Sequence, residues 1–387
     1  MGGKTNKNES KADSTIAPQH KNVFLSFLKD LASFTGDLSA LTCPSFLLNG
    51  VSLLEYSTYW GDHPELVAAI SEPEDPAERM VAVARWFIST LYGSYFAGCV
   101  GSSGKKPFNP ILGEQFFCKW DDVNGCGEAN LVCEQVSHHP PISAFYIENK
   151  KAGVYINGHF GQKSKFKGTS VQIIQPGRAT VRHTKGDDTY VVSFPNLYIR
   201  SLITGNPFIE IVGPTSIECS NGYVTEFDFL GKPWFGGKYH KFIGNIYHKD
   251  EPENTLYKVD GKWMAESTIT NTATGKSEIF LNTSTNPPAK YIVAPIEEQN
   301  ANESRKVWEK VAEAIQRQAY GEATNYKNEV ENAQRLLVKE RTNKGEEFNL
   351  QLFHFVSDPV EGNTKANKAC DNGAWVYNNS LDLNSSN

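Results

Sequence analysis

The chain has 387 residues, 39% of them apolar and 12% aromatic, with a formal net charge of −6. That is enough apolar material for a sizeable core in one large domain or two ordinary ones, and the acidic balance excludes a nucleic-acid coat, which needs a basic excess. Seven widely spaced cysteines with no CxxC pair support neither a disulfide framework nor a zinc ribbon, so a reducing compartment is expected. No run approaches the roughly 18 apolar residues that span a bilayer, and "MGGKTNKNES" lacks a signal-peptide core. Any membrane contact is therefore expected to be peripheral.

Residues 1–20 are polar and read as a disordered tail. The first patterned segment, "VFLSFLKDLASF", spaces Phe24, Phe27, Leu28, Leu31 and Phe34 for one face of a short helix. Such a helix packs on its own core or serves as a detachable, membrane-touching lid. Asp75-Pro76-Ala77-Glu78 is a helix start, with Asp as N-cap and Pro at the first helical position, and Met80, Val83, Ala84, Phe87 and Leu91 continue the apolar face. From about 115 to 285, alternating or β-branched runs such as "GVYINGHF", "TYVVSF" and "NPFIEIVG" are separated by Gly, Asn and Pro. So many strands predict an antiparallel sheet that curls into a barrel or splits into a sandwich. Helical texture returns over 304–347, with Gly321 and Gly345 as breaks, and the end of the chain, 361–387, reads as a flexible tail. With no repeat and no long linker, 21–360 reads as one α+β domain.

Four basic clusters stand out. His138 and His139 precede two prolines in "EQVSHHPPISAF"; in an extended segment they point to opposite faces, which disfavours shared metal chelation but suits a rigid anion grip. Lys105 and Lys106 lead into the stiff segment Pro107-Phe108-Asn109-Pro110, which fails the P-loop template. Lys327, Glu331 and Arg335, at i, i+4 and i+8, share a helix face and taken alone read as a solvated salt-bridge ladder. Lys163, Lys165 and Lys167 share one face of a strand, as a solvated edge or a contact with anionic lipid. No G-x-S-x-G or HExxH is present, so neither hydrolase template applies.

At these residues the chain resembles a known family. "EQVSHHPPISAF" is similar to the fingerprint of the oxysterol-binding-protein-related family, and "KKPFNPILGE" to a second block of it. The likeness runs over about 24–350, through "WFISTL", "PIEEQ", "ESRKVW" and the Lys327, Glu331, Arg335 spacing, and is greatest to short fungal sterol/phosphoinositide exchangers. The resemblance implies a large curled antiparallel β-barrel around a lipid tunnel, with an N-terminal helical lid over 21–45, mainly barrel over 106–290 and mainly flanking helix over 291–350. It implies a non-enzymatic lipid transfer protein that binds a sterol or phosphatidylinositol 4-phosphate in one tunnel and exchanges them between membranes. The alternatives are exchange of phosphatidylserine or another lipid for the phosphoinositide, and a regulatory lipid sensor.

By the same resemblance the phosphoinositide headgroup is held by Lys106, Asn109, His138, His139, Lys327, Glu331 and Arg335. Leu38, Leu41, Trp60, Tyr95 and Gln175 match the sterol tunnel, Gln175 if one gap is allowed, and Phe24, Phe27, Leu28 and Leu31 belong to the lid. Ser94 and Phe160 depart from polar tunnel positions of the sterol-binding relatives. No cofactor and no metal is implied. The implied partners are membrane lipids met by transient peripheral contact, with no nucleic acid, and the protein is expected to be a cytoplasmic monomer visiting Golgi or ER membranes. No pleckstrin-homology region, ankyrin repeat or acidic ER-tethering motif is recognisable, so targeting is expected to rest on the domain's own surface.

Overall fold

The computed structural model describes residues 20–34, 41–97, 105–201, 208–232, 240–357 and 373–380. Helix α1 (Lys21–Ser33) comes first, then strand β1 (Leu48–Ser52), α2 (Pro64–Ala69), α3 (Pro76–Tyr92) and β2 (Lys106–Phe108). β1 and β2 pair in parallel, apart from the main sheet. The strand-rich stretch then gives β3 (Gln115–Trp120), β4 (Ala129–His138), β5 (Pro141–Asn149), β6 (Val154–Gly161), β7 (Lys163–Phe166), β8 (Val171–Ile174), β9 (Gly177–His183) and β10 (Thr189–Ser193). It continues through β11 (Asn196–Arg200), β12 (Phe208–Cys219), β13 (Tyr223–Leu230), β14 (Lys241–His248), β15 (Tyr257–Lys262), β16 (Glu266–Asn271) and β17 (Ser277–Asn282).

These strands form one antiparallel sheet in the order β17-β16-β15-β14-β13-β12-β10-β9-β6-β5-β4-β3, with β7, β8 and β11 branching from β12. β12 serves both parts: Phe208–Val212 pairs with β11, and Ile217–Cys219 with β10. The change of partner falls at Gly213, whose φ of +96° a side chain would strain although the space around it is open.

The sheet curls because its inner face has one helix to cover. Asp75 accepts from Ala77 N at 2.8 Å and Glu78 N at 3.1 Å, capping α3 where the Asp-Pro signature places it. α3 is apolar nearly all round, which requires burial on every side. Met80, Val83, Phe87 and Leu91 join one apolar cluster with Phe116 and Trp120 at one end of the sheet and Phe280 and Leu281 at the other. Among the described residues β3 and β17 do not pair with each other. The segment after β17 instead runs along the edge of β3, with Lys119 N to Ile292 O at 3.0 Å, the reciprocal bond at 2.7 Å, and a parallel bridge between Gln115 and Glu303. A free edge is thus covered by chain rather than left to recruit another strand.

Three helices follow, α4 (Ser304–Val307), α5 (Glu309–Gln316) and α6 (Tyr320–Lys344). Gly345 ends α6 in the left-handed conformation, φ +68°, with Glu346 N bonded back to Arg341 O. Gly321 is no break, contrary to the sequence reading: the chain turns one step earlier, at Arg317–Ala319 with Gln318 at φ +56°, and Gly321 lies in the first turn of α6. The flexible tail expected over 361–387 also needs correction. β18 (Phe353–Ser357) pairs antiparallel with β19 (Gly373–Tyr377), Tyr377 stacks on Tyr146 at 4.7 Å, and Trp375 and Tyr377 cover the outer face of β5 and β6. "GAWVY" supplies enough apolar surface for a strand, a local signal diluted by its polar surroundings.

Candidate functional site

The residues expected to hold a headgroup come from three regions, and a small apolar cluster explains how two of them meet. Leu48 of β1, Phe108 of β2, Trp308, Val311, Ala314 and Ile315 around α5, and Ala323 of α6 are buried together, with Phe108 stacked on Trp308 at 4.8 Å. Lys106 lies two residues before Phe108, and Lys327 lies one turn after Ala323. Packing the apolar faces therefore carries the two lysines to one place. Both ammonium groups act on the Cys43 thiol: burial raises its pKa, and Lys106 and Lys327 pull it down.

The third region is tied to the first by backbone. Gln135 N donates to Glu114 O at 2.8 Å and Gly113 N to Gln135 O at 2.9 Å, so the two sequence blocks lie side by side. His138 Nδ1 donates to Pro110 O at 3.1 Å, the carbonyl ending the Pro107–Pro110 segment next to half-buried Asn109. His138 and His139 do not diverge as an extended chain would require. β4 ends at His138, the chain turns through His139 and Pro140, and the imidazoles meet edge to face with centroids 4.5 Å apart. Burial and the neighbouring His139 hold the His138 pKa below the usual histidine range; Glu331 raises it and Arg335 lowers it, which places both α6 side chains within reach of this ring.

Along α6, Lys327 Nζ lies 2.6 Å from Glu331 Oε1, and Arg335 lies 3.5 Å from Glu331 Oε2 while also donating to Asn332 Oδ1 at 2.6 Å. Lys327 is only 8% exposed, unlike a solvated ladder residue, while Lys106 and His139 are exposed. The set combines three permanent cations, one carboxylate and two titratable imidazoles, a composition suited to a multiply charged phosphate.

Sequence reasoning passed over the groups that brace this site. Glu114 is fully buried and accepts from Ser52 Oγ, Ser304 Oγ, Ile111 N and Trp308 Nε1 at 2.5–3.0 Å. It joins "KKPFNPILGE" to "ESRKVW", which is why a carboxylate sits where only apolar packing would be expected. Glu134, also fully buried, accepts from Gln351 N, Leu352 N and Phe353 N at 2.9–3.1 Å. An acidic residue at the centre of a strand with no basic neighbour in sequence was the available signal, because a buried carboxylate must find donors.

The other residue set lies against the core inside the sheet. Trp60 is buried, stacked on Phe145 at 5.3 Å and tilted against Phe194 at 5.1 Å, and Phe160 joins the same cluster. Tyr95 and Gln175 meet directly: Tyr95 OH lies 3.0 Å from Gln175 Oε1, and Gln175 Nε2 donates to Pro195 O at 3.0 Å. Ser94 turns away, its hydroxyl donating to Thr90 O at 2.7 Å, so Tyr95 and Gln175 provide the polar groups here. Phe27, Leu28 and Leu31 of α1, with Phe34 just after it and Leu41, pack against Phe166, Val171, Ile173 and Ile199 of the β7-β8-β11 branch. Phe24 is half-buried, and Leu38 lies outside the described residues.

The oxysterol-binding protein family model matches residues 24–321. The chain is 41% identical over 342 residues to Protein KES1 of Mycosarcoma maydis, covering 87% of this chain and 88% of that one. It is 37% identical over 377 residues to Protein kes1 of Schizosaccharomyces pombe, covering 95% and 97%. Its fold is similar to the Osh1 ORD domain crystallised with cholesterol, TM-score 0.73 at 22% identity over 91% of this chain and 86% of that one. It is likewise similar to the Osh3 ORD of Saccharomyces cerevisiae crystallised with PI(4)P, TM-score 0.67 at 21% identity over 91% and 89%. Matched through its sheet, its helices and both sequence blocks, the chain belongs to the oxysterol-binding protein family.

Proposed function

We propose that this chain is a non-enzymatic lipid transfer protein that carries either a sterol or phosphatidylinositol 4-phosphate in one tunnel and exchanges the two between membranes. The observation that supports it most is the meeting of Lys106, the His138–His139 pair, Lys327 and Arg335 beside a curled sheet with an aromatic interior. The cations and imidazoles, with Asn109 and Glu331 at their margin, hold the headgroup. Trp60 and Leu41 meet the apolar ligand body, and the Tyr95–Gln175 pair meets a sterol hydroxyl. Burying some hundreds of Å² of lipid surface at about 25 cal/mol per Å² is on the order of 10 kcal/mol before the costs of association, so the ligand must be covered.

Helix α1 is the cover. Its inner face packs on the β7-β8-β11 branch, and its outer face exposes Val23 (51%) and Leu25 (47%) to a membrane surface. Exposed Lys163, Lys165 and Lys167 of that branch and its loop favour anionic lipid. No helix among the described residues is long and apolar enough to cross a membrane, and the contact we propose is transient, at Golgi or ER surfaces facing the cytoplasm. Two ligands sharing one space exclude each other, so a phosphoinositide gradient can drive the sterol. In this reading His138 serves binding: its Nδ1–H is donated to the Pro110 carbonyl, which fixes the ring and leaves its other nitrogen for the headgroup.

The test is transfer between liposomes of defined composition, one loaded with sterol and the other with phosphatidylinositol 4-phosphate. The wild type is expected to move both, each accelerating the other, and the His138→Ala/His139→Ala protein to lose phosphoinositide extraction while keeping sterol extraction. Intact phosphoinositide extraction by that variant would sink the site assignment; uptake of phosphatidylserine in place of sterol would change the cargo.

A further inference from the structure

A second cluster of basic groups lies outside the site described above. Two strand spacings from His138, about 10 Å across the sheet, a partly enclosed cleft of about 70 Å³ opens where β6 meets the start of β9. Pro141, His159, Gly161, Lys163, Gly177 and Trp375 line it. Phe160 belongs to the interior cluster, so His159 beside it faces outward with Asn157. Asn157 in turn bonds Trp375 O at 2.6 Å and Tyr377 N at 3.0 Å, which brings the Trp375 ring to the rim. The floor is bare backbone: Gly161 N donates to Pro176 O at 2.7 Å, and a Cβ at Gly177 would run into the His159 carbonyl.

The groups around the cleft fix the charge of what belongs in it. His159 is only 5% exposed, and its Nδ1 has no hydrogen-bond partner among the described residues, a cost to a buried polar group. Burial and then Arg178, its partner directly across the strand pair and itself 1% exposed, push the His159 pKa down to about 4, so the ring is a neutral N–H donor at pH 7. Lys163 brings a second positive charge to the rim, exposed and without an ion pair among the described residues. No acidic side chain is among the described residues that line the cleft. Its volume equals a few water molecules at about 30 Å³ each, too little for a sterol or an acyl chain. We propose that this cleft is an oxyanion site that takes one phosphate group, with His159 as hydrogen-bond donor and Lys163 and Arg178 supplying the positive field. A phospholipid headgroup and free phosphate offer the same chemistry. The rim favours the lipid, because Phe355, 48% exposed, and half-buried Trp375 are amphipathic-surface residues beside the lysines. β5 separates this cleft from His138, so the inference stands whichever lipid the chain carries.

Histidine-selective nitrogen NMR on the full chain tests it, with inorganic phosphate titrated against chloride at constant ionic strength. The His159 resonances, assigned by their loss in His159→Gln, are expected to shift with phosphate and to saturate at roughly millimolar concentration. Lys163→Glu is expected to weaken that binding about fivefold while the responses of His138 and His139 stay as in the wild type. A His159 response no larger with phosphate than with chloride, or one unaltered in Lys163→Glu, overturns the site. Flotation with phosphatidylcholine vesicles containing phosphatidic acid separates the two sources of phosphate. His159→Gln does not change the net charge at neutral pH, so a severalfold loss of vesicle binding in that variant identifies a lipid phosphate. Equal vesicle binding, given the NMR response, identifies free phosphate as the occupant. Thermal unfolding shows that both variants are folded.

Discussion

Lys327→Ala removes the most buried cation of the proposed headgroup site. In the unliganded protein Lys327 Nζ is 2.6 Å from Glu331 Oε1, with its side chain 10% exposed, so solvent screens it little. A hydrogen bond to a charged group contributes about 1.5–3 kcal/mol, and about 1.4 kcal/mol is a factor of ten in affinity. The substitution should weaken phosphatidylinositol 4-phosphate binding by roughly one to two orders of magnitude. It also leaves Glu331 with Arg335 alone, at 3.5 Å, so a carboxylate turns toward the incoming anion. Adding Glu331→Gln should then restore part of the loss, the non-additivity expected of residues in contact. The assay is extraction from liposomes followed with a fluorescent phosphoinositide probe, with sterol extraction and thermal unfolding measured on the same preparations. Phosphoinositide extraction within twofold of wild type, or a parallel loss of sterol extraction in a folded protein, would refute the reasoning.

Three further outcomes are expected. Gln175→Leu removes the amide joining Tyr95 OH to Pro195 O and should lower sterol extraction about fivefold, the equivalent of one hydrogen bond of about 1 kcal/mol, while phosphoinositide extraction stays within twofold. The His138 pKa lies below the usual histidine range in the free protein, and a bound phosphate favours the protonated ring, so binding takes up a proton. Phosphoinositide affinity should accordingly rise as pH falls from about 8 to 6.5, a window above the phosphate's own second pKa of about 6, and calorimetry should show this dependence flattened in His138→Ala/His139→Ala. Glu134→Ala strips the acceptor from three backbone N–H groups at 351–353, one of them fully buried, and should cost about 2–4 kcal/mol in denaturant unfolding, with both lipids affected alike.

Local patterns were legible wherever local chemistry decides the outcome. The Asp75 cap, the α3 apolar face, the alternating strands and the Gly345 stop could all be read because each depends on residues within a turn or a pleat of one another. The histidine pair was misread because alternation applies only while a strand continues, and here the strand ends at His138. β19 was missed because five apolar-rich residues lie within a long polar stretch, and their partners are in β5, β6 and β18. Glu114 and Glu134 could be seen in the sequence but not interpreted, since their donors come from remote segments.

The residues alone determined that this chain builds a large antiparallel sheet flanked by helices, and two short blocks in it carried the family resemblance. Only the tertiary structure decided which charges meet. Lys327, Glu331 and Arg335 have the spacing of any surface ladder, and what distinguishes them is that α5 and α6 dock their apolar faces on β1 and β2, burying Lys327 near Lys106 and bringing Glu331 and Arg335 to His138. Helix periodicity places side chains on a face, but what that face opposes is set by non-directional apolar burial summed over distant segments, and no local pattern encodes it.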